Sequence, residues 1–180
     1  MRKINEIFYS LQGEGFHTGT PAVFVRFSGC NLKCSFCDTQ HEEGVWMSDE
    51  EILAEVGKYP AVTVILTGGE PSLWIDREFV DCLHWMGKYV CIETNGTHSL
   101  PDNIDWVTCS PKQGAKLCIS RMDEVKVVYE GQDIAVYESL PAGHFFLQPC
   151  SCSNTAETVA CVMQHPKWRL SLQTHKLIEI

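Results

Sequence analysis

One arrangement recurs along this chain: a short apolar run followed at once by a polar segment containing glycine or proline. Ala22-Val23-Phe24-Val25-Arg26-Phe27 leads into Ser28-Gly29-Cys30, and Val62-Thr63-Val64-Ile65-Leu66 into Thr67-Gly68-Gly69-Glu70-Pro71. Tyr89-Val90-Cys91-Ile92 leads into Glu93-Thr94-Asn95-Gly96, and residues 105–109 into Ser110-Pro111-Lys112. His144-Phe145-Phe146-Leu147 precedes Gln148-Pro149, and residues 168–172 precede Gln173-Thr174-His175-Lys176. Runs bounded in this way read as strands. A further strand at 124–129 ends in Glu130-Gly131 and carries no comparable signal. Helices fit between several of them. Ser48 and Glu51 form a capping box for a helix to about residue 59, and Asp76 caps a second with Phe79, Val80 and Leu83 on its buried side. Asn154 and Glu157 repeat the capping pattern for a third, with Val159, Val162 and Met163 as core positions. Strand–helix alternation implies parallel strands with right-handed crossovers, and motifs placed after strands put the chemistry at the carboxyl edge of the sheet. Residues 96–143 contain no good helix, and 180 residues are too few for eight complete units. The expected fold is therefore α/β: an open, partial β/α (TIM-like) barrel, abbreviated in its second half. Residues 22–180 would form the barrel and 1–21 an N-terminal extension of one domain.

The length allows a real core. No apolar run approaches the length of a membrane helix, and the start lacks a signal-peptide apolar stretch, so a cytoplasmic protein with reduced thiols is expected. A formal charge of −9 with no basic cluster argues against nucleic acid as a partner. A small molecule or another protein is the expected substrate.

Three of the ten cysteines sit in Cys30-Asn31-Leu32-Lys33-Cys34-Ser35-Phe36-Cys37. Three thiolates are one short of the set that closes a structural zinc site or a fully ligated iron–sulfur cluster. No fourth cysteine follows within a short loop. The spacing, with an aromatic residue before the third cysteine, is similar to that of the radical S-adenosylmethionine (SAM) enzymes, whose 4Fe–4S cluster keeps one iron open for the amino and carboxylate groups of SAM. The alternative is a Cys3His zinc site completed by His41. Most of the other cysteines lie in apolar runs, as Cys91 does, and read as small buried hydrophobes. Cys150 and Cys152 follow a strand and could face the active-site mouth without being ligands.

The Gly68-Gly69-Glu70-Pro71 loop suits an amino-group ligand, because glycines admit close approach and backbone and Glu70 oxygens can accept hydrogen bonds. A plain turn is the alternative. In Gln12-Gly13-Glu14-Gly15 the flanking glycines leave Glu14 free to accept paired hydrogen bonds from a flat ring edge carrying adjacent N–H donors. Arg26 interrupts an apolar strand, so its guanidinium needs either an anionic ligand or an internal acid.

Together, Leu11-Gln12-Gly13-Glu14-Gly15, Gly19-Thr20-Pro21, Phe24 through Leu32, Cys37-Asp38-Thr39 and the later strand-end motifs resemble the 7-carboxy-7-deazaguanine synthase family over nearly the whole chain. The resemblance implies conversion of 6-carboxy-5,6,7,8-tetrahydropterin to 7-carboxy-7-deazaguanine with release of ammonia, in deazapurine (queuosine-type) biosynthesis. It implies a 4Fe–4S cluster, SAM and Mg2+ as cofactors. A deoxyadenosyl radical would take hydrogen from the ring carbon bearing the carboxylate before ring contraction. Carried over position by position, Cys30, Cys34 and Cys37 would hold the cluster and Thr39 the magnesium. Phe36, Cys37, Asp38, Gly69, Glu70, Glu93, Ser110, Pro111, Lys112, Gln148 and Pro149 would contact SAM. Leu11, Gln12, Gly13, Glu14, Arg26, Thr67, His175 and Ile180 would hold the pterin. A reducing partner such as a flavodoxin and a homodimeric state are also implied. The chain is short for that family, and Cys150-Ser151-Cys152 departs from its pattern. Two rivals remain at this level: an activating enzyme of a glycyl-radical protein, which would not need the 11–15 block or Arg26, and a non-catalytic zinc-stabilised binding module.

Overall fold

A computed structural model of the chain describes residues 1–35, 37 and 41–178. Its framework is one sheet of β1 (Arg2–Leu11), β2 (Pro21–Phe27), β3 (Val45–Met47), β4 (Thr63–Gly68), β5 (Tyr89–Thr94), β6 (Trp106–Cys109), β7 (Glu124–Tyr129), β8 (His144–Pro149) and β9 (Arg169–Leu170), in the order β3-β1-β2-β4-β5-β6-β7-β8-β9. From β2 to β9 every neighbouring pair is parallel, whereas β1 is antiparallel to both β2 and β3. The sheet is open, as an abbreviated barrel requires.

Strand period 2 divides each strand between two environments. Val23, Val25, Phe27, Val64, Leu66, Val90, Ile92, Val107, Val125 and Leu147 share a continuous core with helix residues Ile52, Val56, Phe79, Val80 and Leu83. The alternate positions face the concave side. Ala22, Phe24, Ile65 and Cys91 make a small apolar plug there, with Phe8 and Trp106 against it. One pleat further along, the same faces turn polar: Arg26, Thr67, Glu93, Lys126 and Gln148 line the cavity of the site. Burying the apolar alternates therefore sets the rotation of every strand and aims the polar ones inward.

The helices α1 (Asp49–Val56), α2 (Arg77–Trp85), α3 (Thr155–Gln164) and α4 (Thr174–Leu177) follow. Both halves of the Ser48–Glu51 capping box are present, and α1 stops at Gly57, earlier than expected. The Asp76 side chain accepts from Phe79 N–H, and Phe79, Val80 and Leu83 are the buried face of α2. At α3 the expectation fails in part. Asn154 makes no cap bond; its Oδ1 accepts from Cys150 N–H and its Nδ2 donates to the Tyr129 carbonyl. Val162 packs on the core, but Met163 is 80 % exposed. The residue 168–172 strand shrinks to two residues, and residues 1–21, expected as a substrate-binding extension, supply the longest strand. Cys91 and Cys109 are buried as expected, whereas Cys118 is exposed.

Candidate active site

The cysteine segment leaves β2 through a backbone staple. Gly69 N–H donates to the Phe27 carbonyl and Glu70 N–H to the Gly29 carbonyl, both at 2.9 Å. The approach is so close that a Cβ on Gly69 would lie 2.0 Å from the Gly29 oxygen, which only glycine permits. Trp74 Nε1 donates to the Ser28 carbonyl at 2.8 Å, anchoring the same turn. Glu70 is 1 % exposed and spends its carboxylate inward, accepting from Ser72 N–H, Thr94 Oγ1 and Asn95 N–H. It holds the loops after β4 and β5 together. Glu70 and Pro111, both expected to contact SAM, are buried and do not line the cavity. Phe36, Asp38, Thr39 and Ile180 lie outside the described residues.

A cavity of about 680 Å³ occupies the concave side at the carboxyl edge of the sheet. Cys30, Cys34 and Cys37 line one part of it, with Gly69, Ser110, Lys112, Gln148 and Pro149 on the same wall system. The three thiols also meet His41 around an adjoining hollow of about 540 Å³ that contains no other cysteine. Burial pushes the Cys30 thiol up, Glu70 and the other two thiols add to this, and the Leu32 N–H opposes it. Among the described residues no three His, Cys, Asp or Glu side chains gather closely enough for one metal ion. Three thiols around one hollow, with no fourth thiol there, fit a cluster ligated by cysteine at three corners.

The remaining part of the cavity is built from hydrogen-bonded polar groups. Glu93 accepts from Thr67 Oγ1 at 2.8 Å, Gln12 Nε2 at 3.2 Å and Lys126 Nζ at 3.1 Å. Glu14 accepts from Lys126 Nζ at 2.5 Å and from Gln173 Nε2 at 2.8 Å, and its backbone N–H donates to Gln12 Oε1. Burial alone would raise the Glu93 carboxyl, yet Lys126 and the three donors hold it below the usual carboxylate range. Burial likewise opposes the charge on Lys126, and Glu14, Glu93 and Glu124 more than offset it, so the ammonium stays above its ordinary value. Burial lowers Lys112, with the Cys34 thiol opposing.

The sheet's open side is bridged by loops. Gly13 O accepts from the backbone N–H and the hydroxyl of Thr174, Gly15 N–H donates to Ser171 Oγ, and Ser171 Oγ donates to Gln148 Oε1. His175 packs directly on Gly13, where a Cβ would have no room. Leu11, Gln12, Gly13, Glu14, Arg26, Thr67, Glu93 and His175 thus come together on one cavity although far apart in sequence. Arg26 is partly exposed rather than deeply buried, and its Nε donates to Glu6 Oε1 at 2.7 Å. Cys150 and Ser151 reach the cavity mouth. Lys126 was missed: the strand at 124–129 read as carrying no motif, yet it supplies the cation between the two carboxylates. A charged residue within an apolar strand was the available signal, the same one that marks Arg26. Gln173 and Glu6 also gain their roles only through contact.

The chain matches the Radical SAM superfamily over residues 24–108. It is 82% identical over 180 residues to a 7-carboxy-7-deazaguanine synthase of Bacteroides thetaiotaomicron, covering 100% of this chain and 99% of that protein. A second 7-carboxy-7-deazaguanine synthase, from Nitratidesulfovibrio vulgaris, is 41% identical over 212 residues, covering 99% and 98% of the two chains. The crystal structure of QueE from Escherichia coli superposes with a TM-score of 0.80 at 31% identity, covering 95% of this chain and 93% of that one. Identity of this order from end to end, on a shared fold, places the chain in the 7-carboxy-7-deazaguanine synthase family of radical SAM enzymes.

Proposed function

We propose that the chain converts 6-carboxy-5,6,7,8-tetrahydropterin to 7-carboxy-7-deazaguanine with loss of ammonia, and that the two parts of its cavity divide the work. The observation that carries this reading is one cavity lined by three cysteines and by an ordered Gln12–Glu14–Glu93–Lys126 cluster. Cys30, Cys34 and Cys37 would hold the 4Fe–4S cluster, which together with SAM supplies reductive carbon–sulfur cleavage as the source of the radical. Gly69, Ser110, Lys112 and Gln148, all of which line the cavity, are assigned to SAM. Glu14 is an acceptor group matched to the N–H donors of a pterin edge; Glu93, expected to contact SAM, is reassigned to the same edge because it bonds Gln12 and Thr67 of the pterin set, and Arg26 is the cation for the pterin carboxylate. Leu11, Gln12, Gly13, Thr67 and His175 complete the pterin wall. Holding the reacting carbon against the radical source, away from water, is the protein's share of the catalysis.

Thr39, two residues after Cys37, is the residue assigned to Mg2+, a hard cation that takes oxygen ligands. The exposed Val62, Trp85 and Tyr89 offer apolar surface to a second copy of the chain. All ten cysteines are free thiols, which suits the reducing cytoplasm, where a flavodoxin-type reductant is available. No described helix is long and apolar enough to cross a membrane. Anaerobic incubation of the reconstituted protein with the tetrahydropterin, SAM and a reductant, followed by mass analysis, tests the assignment. Formation of 7-carboxy-7-deazaguanine and 5′-deoxyadenosine is expected. SAM cleavage with the pterin left intact would reject this substrate.

A further inference from the structure

Lys126 stands between two carboxylates that face the cavity, on a side chain only 7 % exposed. Its Nζ donates to Glu14 Oε2 and Glu93 Oε1, and the second oxygen of each acid accepts from Gln173 and Thr67 respectively. Every one of the four carboxylate oxygens is therefore oriented by a donor of the protein; both Glu14 oxygens and Glu93 Oε2 keep a further lone pair for a ligand, while Glu93 Oε1 also accepts from Gln12 Nε2. An ammonium used only for packing would not need two acids from separate elements, one on the β1–β2 loop and one on β5.

We infer that Lys126 is the positioning residue for substrate recognition: it holds Glu14 and Glu93 together as a pair of anions, so that both present acceptors to the donor-rich edge of the pterin. This rests on the assignment of Glu14 to the pterin in the proposed function. The physical reason is like-charge repulsion. Two carboxylates sharing a poorly solvated site cannot both stay ionised without a cation, and one takes up a proton. A protonated carboxyl directs an O–H where the ligand also directs an N–H, so an acceptor is lost.

The other charged groups around the cluster do not replace Lys126. Glu124 lies on the same strand and face; burial raises its carboxyl, while Lys126 opposes. Its Oε2 accepts from Phe16 N–H at 3.1 Å. Lys112, beyond β6, is pushed by burial toward its neutral form. Lys176 donates to Gln173 Oε1 at 2.9 Å, and Arg26 is engaged with Glu6. Cys91, two residues before Glu93, is driven strongly upward by burial and carries no charge at neutral pH.

The test uses the full chain with its cluster reconstituted and measures equilibrium binding of 6-carboxy-5,6,7,8-tetrahydropterin as a function of pH. Lys126→Met is expected to weaken binding at neutral pH by about tenfold or more and to move the acid limb of the binding profile upward by about one pH unit or more, the scale on which a nearby opposite charge shifts a carboxyl. Lys126→Arg, which keeps a permanent charge, is expected to return the limb toward its original position. A residue that merely supports the fold would change melting temperature without moving that limb. Wild-type affinity and an unmoved limb in Lys126→Met would overturn the inference. Should that variant fail to fold, Lys126→Gln removes the charge while keeping a donor, and an unmoved limb there is equally decisive. Glu14→Gln separates the two levels of the argument. Wild-type binding in Glu14→Gln refutes the assignment of Glu14 to the pterin. Weak binding in Glu14→Gln with an unmoved limb in the Lys126 variants refutes only the role given to Lys126.

Discussion

At the scale of single residues, Arg26 shows how far contact and function can be separated by experiment. It faces the cavity, and its Nε is held by Glu6. If its guanidinium also forks onto the substrate carboxylate, Arg26→Lys keeps the charge but loses the planar pair of donors. Pterin binding should then fall by about 1.5–3 kcal/mol, the range for a hydrogen bond to a charged group. Titration of the variant with the tetrahydropterin measures this, and unchanged affinity would leave the Glu6 pair as the whole role of Arg26. The cysteines give a second residue-scale outcome. Alanine at Cys30, Cys34 or Cys37 should each strip most iron and visible absorption, since no other cysteine shares their hollow. Alanine at Cys150 or Cys152 should leave iron content near that of the parent. Iron loss in both of the latter would assign the pair to the cluster.

At the scale of elements, the start of β1 ties two helices to the sheet through one side chain. Arg2 is buried; its Nε and Nη2 donate to Asp49 at 2.8 and 2.9 Å, its Nη2 also to Asp76 at 3.0 Å, and its Nη1 to the Trp74 carbonyl. Its guanidinium sits 4.4 Å from the centre of the Phe79 ring. Asp76 is at the same time the N-cap of α2. Burial works against the Asp76 carboxylate, but Phe79 N–H and Arg2 hold it below its ordinary 3.8. A depressed carboxyl contributes stability that is complete above that ordinary value and lost as pH falls through the lower, folded one. Arg2→Ala should cost about 1.5–3 kcal/mol in chemical denaturation, and Arg2→Lys should recover only part because one ammonium cannot span the same set. Full recovery by lysine would show that charge alone matters there. The β1 strand itself escaped sequence reading because a bulge between Ile4 and Glu6 breaks the alternation of apolar residues. The Asn154 signal misled for a related reason. Ser151 and Cys152 take φ of 46° and 62°, and the turn they make draws the Asn154 side chain back to Cys150 and away from the helix start.

At the scale of the whole molecule, apolar burial has a consequence for alkaline stability. Cys109 is 0 % exposed, and burial pushes its thiol up from 9.0 to about 12, with Lys112 opposing. Burial drives Cys91 further in the same direction. A thiol raised in the folded state contributes stability that is whole below its unfolded value and declines as pH rises from there toward the folded value. Resistance to denaturant should therefore fall from about pH 9 upward, and Cys109→Ala should flatten that slope whatever it does to stability at neutral pH. An unaltered slope in the variant would show that other groups govern the alkaline limb. The same molecule-wide view explains how an open sheet makes an enclosed site. Among the described residues no strand pairs β9 with the opposite edge; the Gly13–Thr174, Gly15–Ser171 and Glu14–Gln173 contacts bridge the open side instead.

The linear order of residues by itself determined the alternation of strands and helices, the placement of motifs at the carboxyl edge and the triplet of cysteines. Each depends on local spacing: apolar period, capping residues and ligands a few positions apart. Of the helix starts, those at Ser48 and Asp76 were legible because cap and helix are neighbours in the chain. What only the tertiary structure decided were the partners that arrive from distant segments. Glu70 reads as a ligand-facing carboxylate in its loop, but Thr94 and Asn95 come down from the next strand and take its oxygens. Lys126 reads as one charge on a plain strand until Glu14, 112 positions away, and Glu93, 33 positions away, close on it. Spacing fixes which face of a strand a side chain occupies; only the packing of the sheet and its bridging loops fixes which opposite charge it meets there.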